Sequence, residues 1–112
     1  MNVNKGAADM GAASDHTVVL IDPDILDLTE DFLRRRREAV AQLHALIDAC
    51  DMGQLRIMGH ELKGTAGSYG FHALSRIGAA LEGAAIEADA GCAREAVNRM
   101  ATFLEHVTVV AR

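Results

Sequence analysis

The sequence predicts an all-α protein, an antiparallel up-and-down four-helix bundle with a short additional N-terminal helix. Three observations carry that reading. Half of the 112 residues are apolar, yet the aromatics are only three Phe and one Tyr, with a single Pro, a mixture that suits packed helices better than short strands. Apolar residues recur at spacings of three, four and seven in four successive segments. The segments between them are a few residues long, which places consecutive helices side by side and reverses the chain at each connection.

Residues 1–17 are mostly Gly, Ala, Asp, Asn and Ser, with little to bury against the entropy of ordering them, so a flexible tail is expected there and a bundle domain over 18–112. Asp22 before Pro23 and Asp24 reads as the cap and first turn of a short helix through Leu28. A second start signal at Thr29, Glu30 and Asp31 opens a long helix whose stripe is Leu33, Val40, Leu43, Ile47 and Cys50. Asp51 caps the next, with Leu55, Met58, Leu62, Ala66 and Tyr69 on one face until Gly70 ends it. Phe71 opens a third, with Leu74, Ile77, Leu81, Ala84 and Ala88, and the fourth runs through Ala93, Val97, Met100, Leu104 and Val107.

Charge and cysteine content exclude several function classes. A formal charge of −5 argues against sequence-independent binding to nucleic acid. The basic run Arg34 to Arg37 is bracketed by Glu30, Asp31 and Glu38, which reads as a solvated helix face. Cys50 and Cys92 sit in segments that read as apolar helix faces, without a C-x-x-C spacing, so buried free thiols are expected. The longest apolar run near the start, Val18 to Ile21, is too short for a signal core or a membrane span, and a cytoplasmic protein is expected. His16, His44, His72 and His106 show no i, i+4 pair and no C-x-x-C-H, so no metal or haem site is expected.

The informative segment is Asp51 to Phe71. With about 100° per residue and His60 at zero, Leu55, Met58, Leu62, Thr65, Ala66 and Tyr69 fall more than about 120° away. If these pack inside, His60 faces water. Within roughly 60° of it lie Gly53, Arg56, Ile57, Lys63, Gly64 and Gly67, a small and basic face. Two helix-interior glycines cost on the order of 2 kcal/mol together relative to alanine, which close approach by another molecule explains. An exposed imidazole is a nucleophile near neutral pH, and Lys63 one turn away puts an ammonium beside a group attached to it. One nucleophile, one cation and cleared space suit phosphoryl transfer, whose loose transition state needs alignment and charge compensation.

His60-Glu61-Leu62-Lys63-Gly64, followed by Gly67, Gly70, Leu74 and Leu81-Glu82, resembles the histidine-containing phosphotransfer domain of multistep phosphorelays, over about Asp24 to Val107. The resemblance implies that His60 accepts a phosphoryl group from an aspartyl phosphate of a receiver domain and donates it to another. By the same carry-over Lys63 compensates phosphoryl charge, and Gly64 and Gly67 clear space for the receiver. Ile57, Arg56 and Ile25 are the candidates for the docking patch. The partners implied are receiver domains of response regulators or hybrid histidine kinases, met by a monomer with no nucleic acid and no membrane. The protein would be a carrier and not an enzyme, with no cofactor of its own and Mg²⁺ held by the receiver. Two departures stand out: Gly59 where alanine is common before the histidine, and Glu61 where the family often has a neutral or basic residue.

Two other readings compete. The dimerisation and phosphoacceptor domain of a sensor histidine kinase also begins with His-Glu-Leu-Lys, but it usually carries a proline where this chain has Thr65, and it works with an ATP-binding domain. An interaction-only bundle would have no need of His60, Lys63 and Gly64 together.

Overall fold

The computed structural model describes residues 16–112. Four helices form the bundle: α1 (Leu26–Asp48), α2 (Met52–Ser68), α3 (His72–Ile86) and α4 (Ala90–His106). Two short strands flank them, β1 (Thr17–Ile21) and β2 (Val107–Ala111), paired in parallel from Thr17 opposite Val107 to Ile21 opposite Ala111. Of the tail expected over 1–17, residues 1–15 lie outside the described part, and Thr17 begins β1 instead.

The strand pair was not expected from the sequence. Val107, placed at the end of the last helical stripe, begins β2. In β1 burial alternates with period two: Thr17, Val19 and Ile21 turn inward while Val18 and Leu20 are exposed. Parallel strands need a long crossover, and here the whole bundle supplies it.

The separate N-terminal helix is also replaced. Pro23–Ile25 is a single 3₁₀ turn, capped by the Asp22 carboxylate on the Asp24 N–H at 2.9 Å, and it runs directly into α1. Thr29 caps nothing. It is fully buried, and its hydroxyl donates to the Ile25 carbonyl at 2.9 Å, so the helix passes through it unbroken.

The three connections share one design. After α1, the Asp51 N–H reaches the Leu46 carbonyl and the Cys50 N–H the Ile47 carbonyl, both at 2.9 Å. The same pair of bonds recurs at Phe71 and Gly70 after α2, and at Asp89 and Ala88 after α3. These are Schellman turns, each with a left-handed residue: Cys50 at φ 56°, Gly70 at φ 87° and Ala88 at φ 55°. The next residue, Asp51, Phe71 or Asp89, is already the N-cap of the following helix. Cys50 therefore leaves the apolar stripe for a turn, and both Cys50 and Cys92 are exposed, not buried as expected.

The predicted stripes otherwise fill the interior. Leu33, Leu43, Ile47, Leu55, Leu62, Ala66, Leu74, Leu81, Val97, Met100 and Leu104 are buried, joined by Phe32 and Phe71. Each large apolar side chain withdrawn from water contributes about 1.5–3 kcal/mol. Arg37, counted with a solvated run, instead donates two hydrogen bonds to the Leu104 carbonyl, at 3.2 and 3.1 Å, and ties α1 to the end of α4. Among the described residues no helix is long and apolar enough to cross a membrane.

Candidate functional site

Helix α2 is started by Asp51, whose carboxylate accepts the Gln54 N–H at 3.1 Å, and this sets the phase of everything that follows. Leu55, Leu62 and Ala66 turn inward and are buried, with Met58 half-buried beside them. His60 accordingly stands outside, with its side chain 66% exposed. Thr65, grouped with the core face by the helical wheel, is exposed. It sits at the margin of the buried arc and looks onto a groove beside α1.

The second ring nitrogen of His60 finds its partner on another helix, where spacing along α2 cannot reveal it. Glu82 of α3 places Oε2 3.1 Å from His60 Nδ1 and Oε1 3.0 Å from Lys63 Nζ. Its side chain is only 17% exposed. The Lys63 ammonium first, and the His60 ring after it, hold the Glu82 carboxyl below the usual glutamate range, against the upward push of burial. An ionised carboxylate only accepts hydrogen bonds, so the proton lies on His60 Nδ1. Nε2 then carries the free lone pair, and it has no hydrogen-bond partner among the described residues.

Two glycines allow this bridge. A Cβ on Gly59 would lie 2.7 Å from the Glu82 nitrogen and 3.0 Å from the Gly78 carbonyl oxygen; one on Gly78 would lie 2.6 Å from the Lys63 nitrogen. Backbone meets backbone here, and a carboxylate on α3 is thereby brought within reach of both His60 and Lys63. The Ser75 hydroxyl adds a hydrogen bond to the Lys63 carbonyl at 2.8 Å. The sequence reading missed Gly78, quoted Glu82 only within the motif and noted Gly59 only as a departure. The signal of the two glycines was the absence of a side chain facing a neighbouring helix, legible only once the pairing of α2 with α3 is known.

The two glycines expected to clear space differ. A Cβ on Gly64 would meet nothing within 4 Å, so packing gives no reason for glycine there. Gly67 faces α3, and its Cβ would touch the Ser75 hydroxyl at 3.5 Å, an ordinary contact. Gly67 is half-buried against a helix and is not part of the open face.

Of the docking candidates, Arg56 and Ile57 are exposed, Ile57 at 45%. Ile25 is half-buried and packs on the core, because the 3₁₀ turn directs it inward; Leu28, one turn on, is 59% exposed instead. On the other flank of His60, away from Glu82, a groove of about 580 Å³ opens between α1 and α2. Phe32, Arg35 and Arg36 line it from α1, and His60, Glu61, Gly64, Thr65 and Ser68 from α2. No group of three or more His, Cys, Asp or Glu side chains able to hold a metal ion occurs among the described residues.

A family model described as Hpt domain matches residues 27–108 of the chain. No curated protein and no solved structure matches it.

Proposed function

The chain belongs to the Hpt domain family of phosphorelay phosphotransfer domains, and on that premise we propose that His60 accepts a phosphoryl group from a receiver-domain aspartyl phosphate and passes it to a second receiver. One observation carries the assignment: the ring is exposed with Nδ1 engaged by Glu82 and Nε2 free toward solvent. In the forward step the Nε2 lone pair attacks phosphorus. The bond from phosphorus to the aspartyl oxygen breaks, the aspartate leaves as a carboxylate, and the ring becomes a phosphorylated imidazolium. Its Nδ1 proton stays in place, and the charge that develops on the ring is met by the Glu82 carboxylate 3.1 Å away. The reverse step returns the pair of electrons to the ring.

Lys63 compensates charge through Glu82. Its ammonium neutralises the carboxylate that would otherwise repel an incoming phosphoryl group. Gly64 leaves the approach to Nε2 open, and the exposed Arg56 and Ile57 stand on the same helix for receiver docking. The receiver supplies Mg²⁺ and the rest of the alignment. The short Schellman turns support an antiparallel up-and-down path for the helices; the form we propose is a monomer in the cytoplasm. Against the kinase dimerisation domain stands the contact of α1 with α4, which lets a single chain cover its own core.

A phosphorylated receiver with Mg²⁺ is expected to label the wild-type protein, and His60→Gln to abolish labelling with helicity unchanged. Labelling that survives His60→Gln overturns the assignment.

A further inference from the structure

The arginine run on α1 has a use that its surface charge alone does not suggest. Arg34 pairs with Asp31 and Glu38, and Arg35 pairs with Asp31 at 3.1 Å. Arg37 is committed to the Leu104 carbonyl. Arg36 differs from all three. Its guanidinium lies over the Phe32 ring, 5.5 Å from the centroid, with no carboxylate partner among the described residues. Its Nε is buried without a hydrogen-bond acceptor. A buried donor with no acceptor is uncommon and costly to keep.

Arg36 lines the same groove as His60, and Gly64, also in the lining, carries no side chain to fill it. The charges around the ring make that position consequential. On the α3 flank, Glu82 and Lys63 cancel each other. A phosphoryl group on Nε2 adds roughly −1.5 to −2, of which the imidazolium formed on transfer offsets one unit, while the groove also presents the acidic Glu61 and an Arg35 already paired with Asp31. Arg36 is the cation of that groove not bound to a carboxylate.

We propose that Arg36 binds the phosphoryl group of phospho-His60, whose oxygens enter the groove between α1 and α2 and accept hydrogen bonds from the guanidinium while Lys63 remains with Glu82. The inference rests on phosphorylation of His60. A planar fork of donors suits a phosphoryl group, and stacking on Phe32 presents it already oriented.

The test uses the full chain phosphorylated with phosphoramidate, in which the donor P–N bond breaks, ammonia leaves and the Nε2–P bond forms. The side-chain N–H signals of Arg36, assigned by NMR, are expected to move on phosphorylation while those of Arg35 stay. In a ³¹P titration of phospho-His60, Arg36→Met retains the packed stem and removes the charge. It should raise the midpoint by about half a unit, roughly threefold in the ionisation constant, since a nearby cation lowers any pKa. Arg36→Lys, which keeps the charge but not the fork, should fall between wild type and Arg36→Met. Unmoved Arg36 signals, or an Arg36→Met midpoint equal to wild type, overturn the proposal while leaving the phosphoacceptor intact. Equal shifts produced by inorganic phosphate on His60→Gln would assign the groove to free phosphate and overturn the link to His60. No phosphohistidine on the wild-type protein would overturn the proposed function itself, and this inference with it.

Discussion

Replacing Gly59 by alanine should destabilise the protein, although alanine is the better helix former. The added Cβ would stand 2.7 Å from the Glu82 nitrogen, 3.0 Å from the Gly78 oxygen and 3.1 Å from the Glu82 Cα. Comfortable carbon contacts lie at about 3.5–4.0 Å, so α2 and α3 must separate by roughly 0.5–1 Å. All three obstructing atoms are backbone, and no rotamer change relieves them. Overpacking of this kind costs about 1–3 kcal/mol, and the propensity gain of Gly→Ala returns about 1 kcal/mol. With rigid backbone on both sides the upper half of that range applies, which leaves a net loss of about 1–2 kcal/mol. For a domain of this size that is a fall in Tm of roughly 5–15 °C. Gly64→Ala is the internal control: its Cβ meets nothing within 4 Å, so it should gain up to about 1 kcal/mol. Urea denaturation of both variants reads the two signs directly. The same separation would stretch the His60–Glu82 contact from 3.1 Å toward about 4 Å, beyond hydrogen-bonding distance, so Gly59→Ala should also slow phosphoryl acceptance. A Gly59→Ala protein as stable as wild type, or shifted in the same direction as Gly64→Ala, would refute the close-approach argument.

Two further outcomes follow from the same geometry. Glu82 is held below the usual glutamate range, so its contribution to stability is complete above that range and is lost as pH falls through its lowered folded value. Glu82→Gln should therefore be less stable than wild type at pH 7 and converge with it in acid, measured by thermal melts from pH 7 to pH 2; a gap that stays constant would remove the carboxylate from the account. Cys50 occupies the left-handed position of a Schellman turn at φ 56°, the position that Gly70 fills after α2, so Cys50→Gly should stabilise the fold by about 1 kcal/mol in urea denaturation. A loss of stability would show that the thiol makes contacts that outweigh the backbone strain.

The helices were legible because the stripes recur at helical spacing and the start of α2 is marked: Asp51 caps as its position predicts, and Leu55, Leu62 and Ala66 are buried together. What failed to read were features set by tertiary partners. Val18 to Ile21 forms a strand only because Val107 to Ala111 lies beside it, and no local pattern announces a partner at the other end of the chain. Thr29 resembles a cap in sequence, yet its hydroxyl is satisfied by the Ile25 carbonyl one turn back, in the 3₁₀ turn that runs into α1. Cys50 and Ala88 continue their stripes by spacing, but the chain leaves the helix before reaching them.

The site divides in the same way, and the division bears on how a partner approaches. His60, Lys63 and Gly64 share one helix, so the wheel could group them; Glu82 and Gly78 belong to α3 and enter only through the close packing at Gly59. Once Nδ1 is engaged on the α3 flank, the ring cannot offer that nitrogen to a phosphorus atom, and rotation about its side-chain bonds is opposed by the Glu82 contact. On the proposed function, attack then comes from Nε2, on the side where Gly64 leaves open space and the groove separates α1 from α2. A receiver that presents its phosphoaspartate to Nε2 would, on that proposal, rest on α1 and α2. The exposed apolar residues it would cover are therefore Leu28 and Ile57, and the exposed Ile86 at the end of α3 falls outside its footprint. Ile25, half-buried and packed on the core, holds the start of α1 in place and offers no surface for that contact.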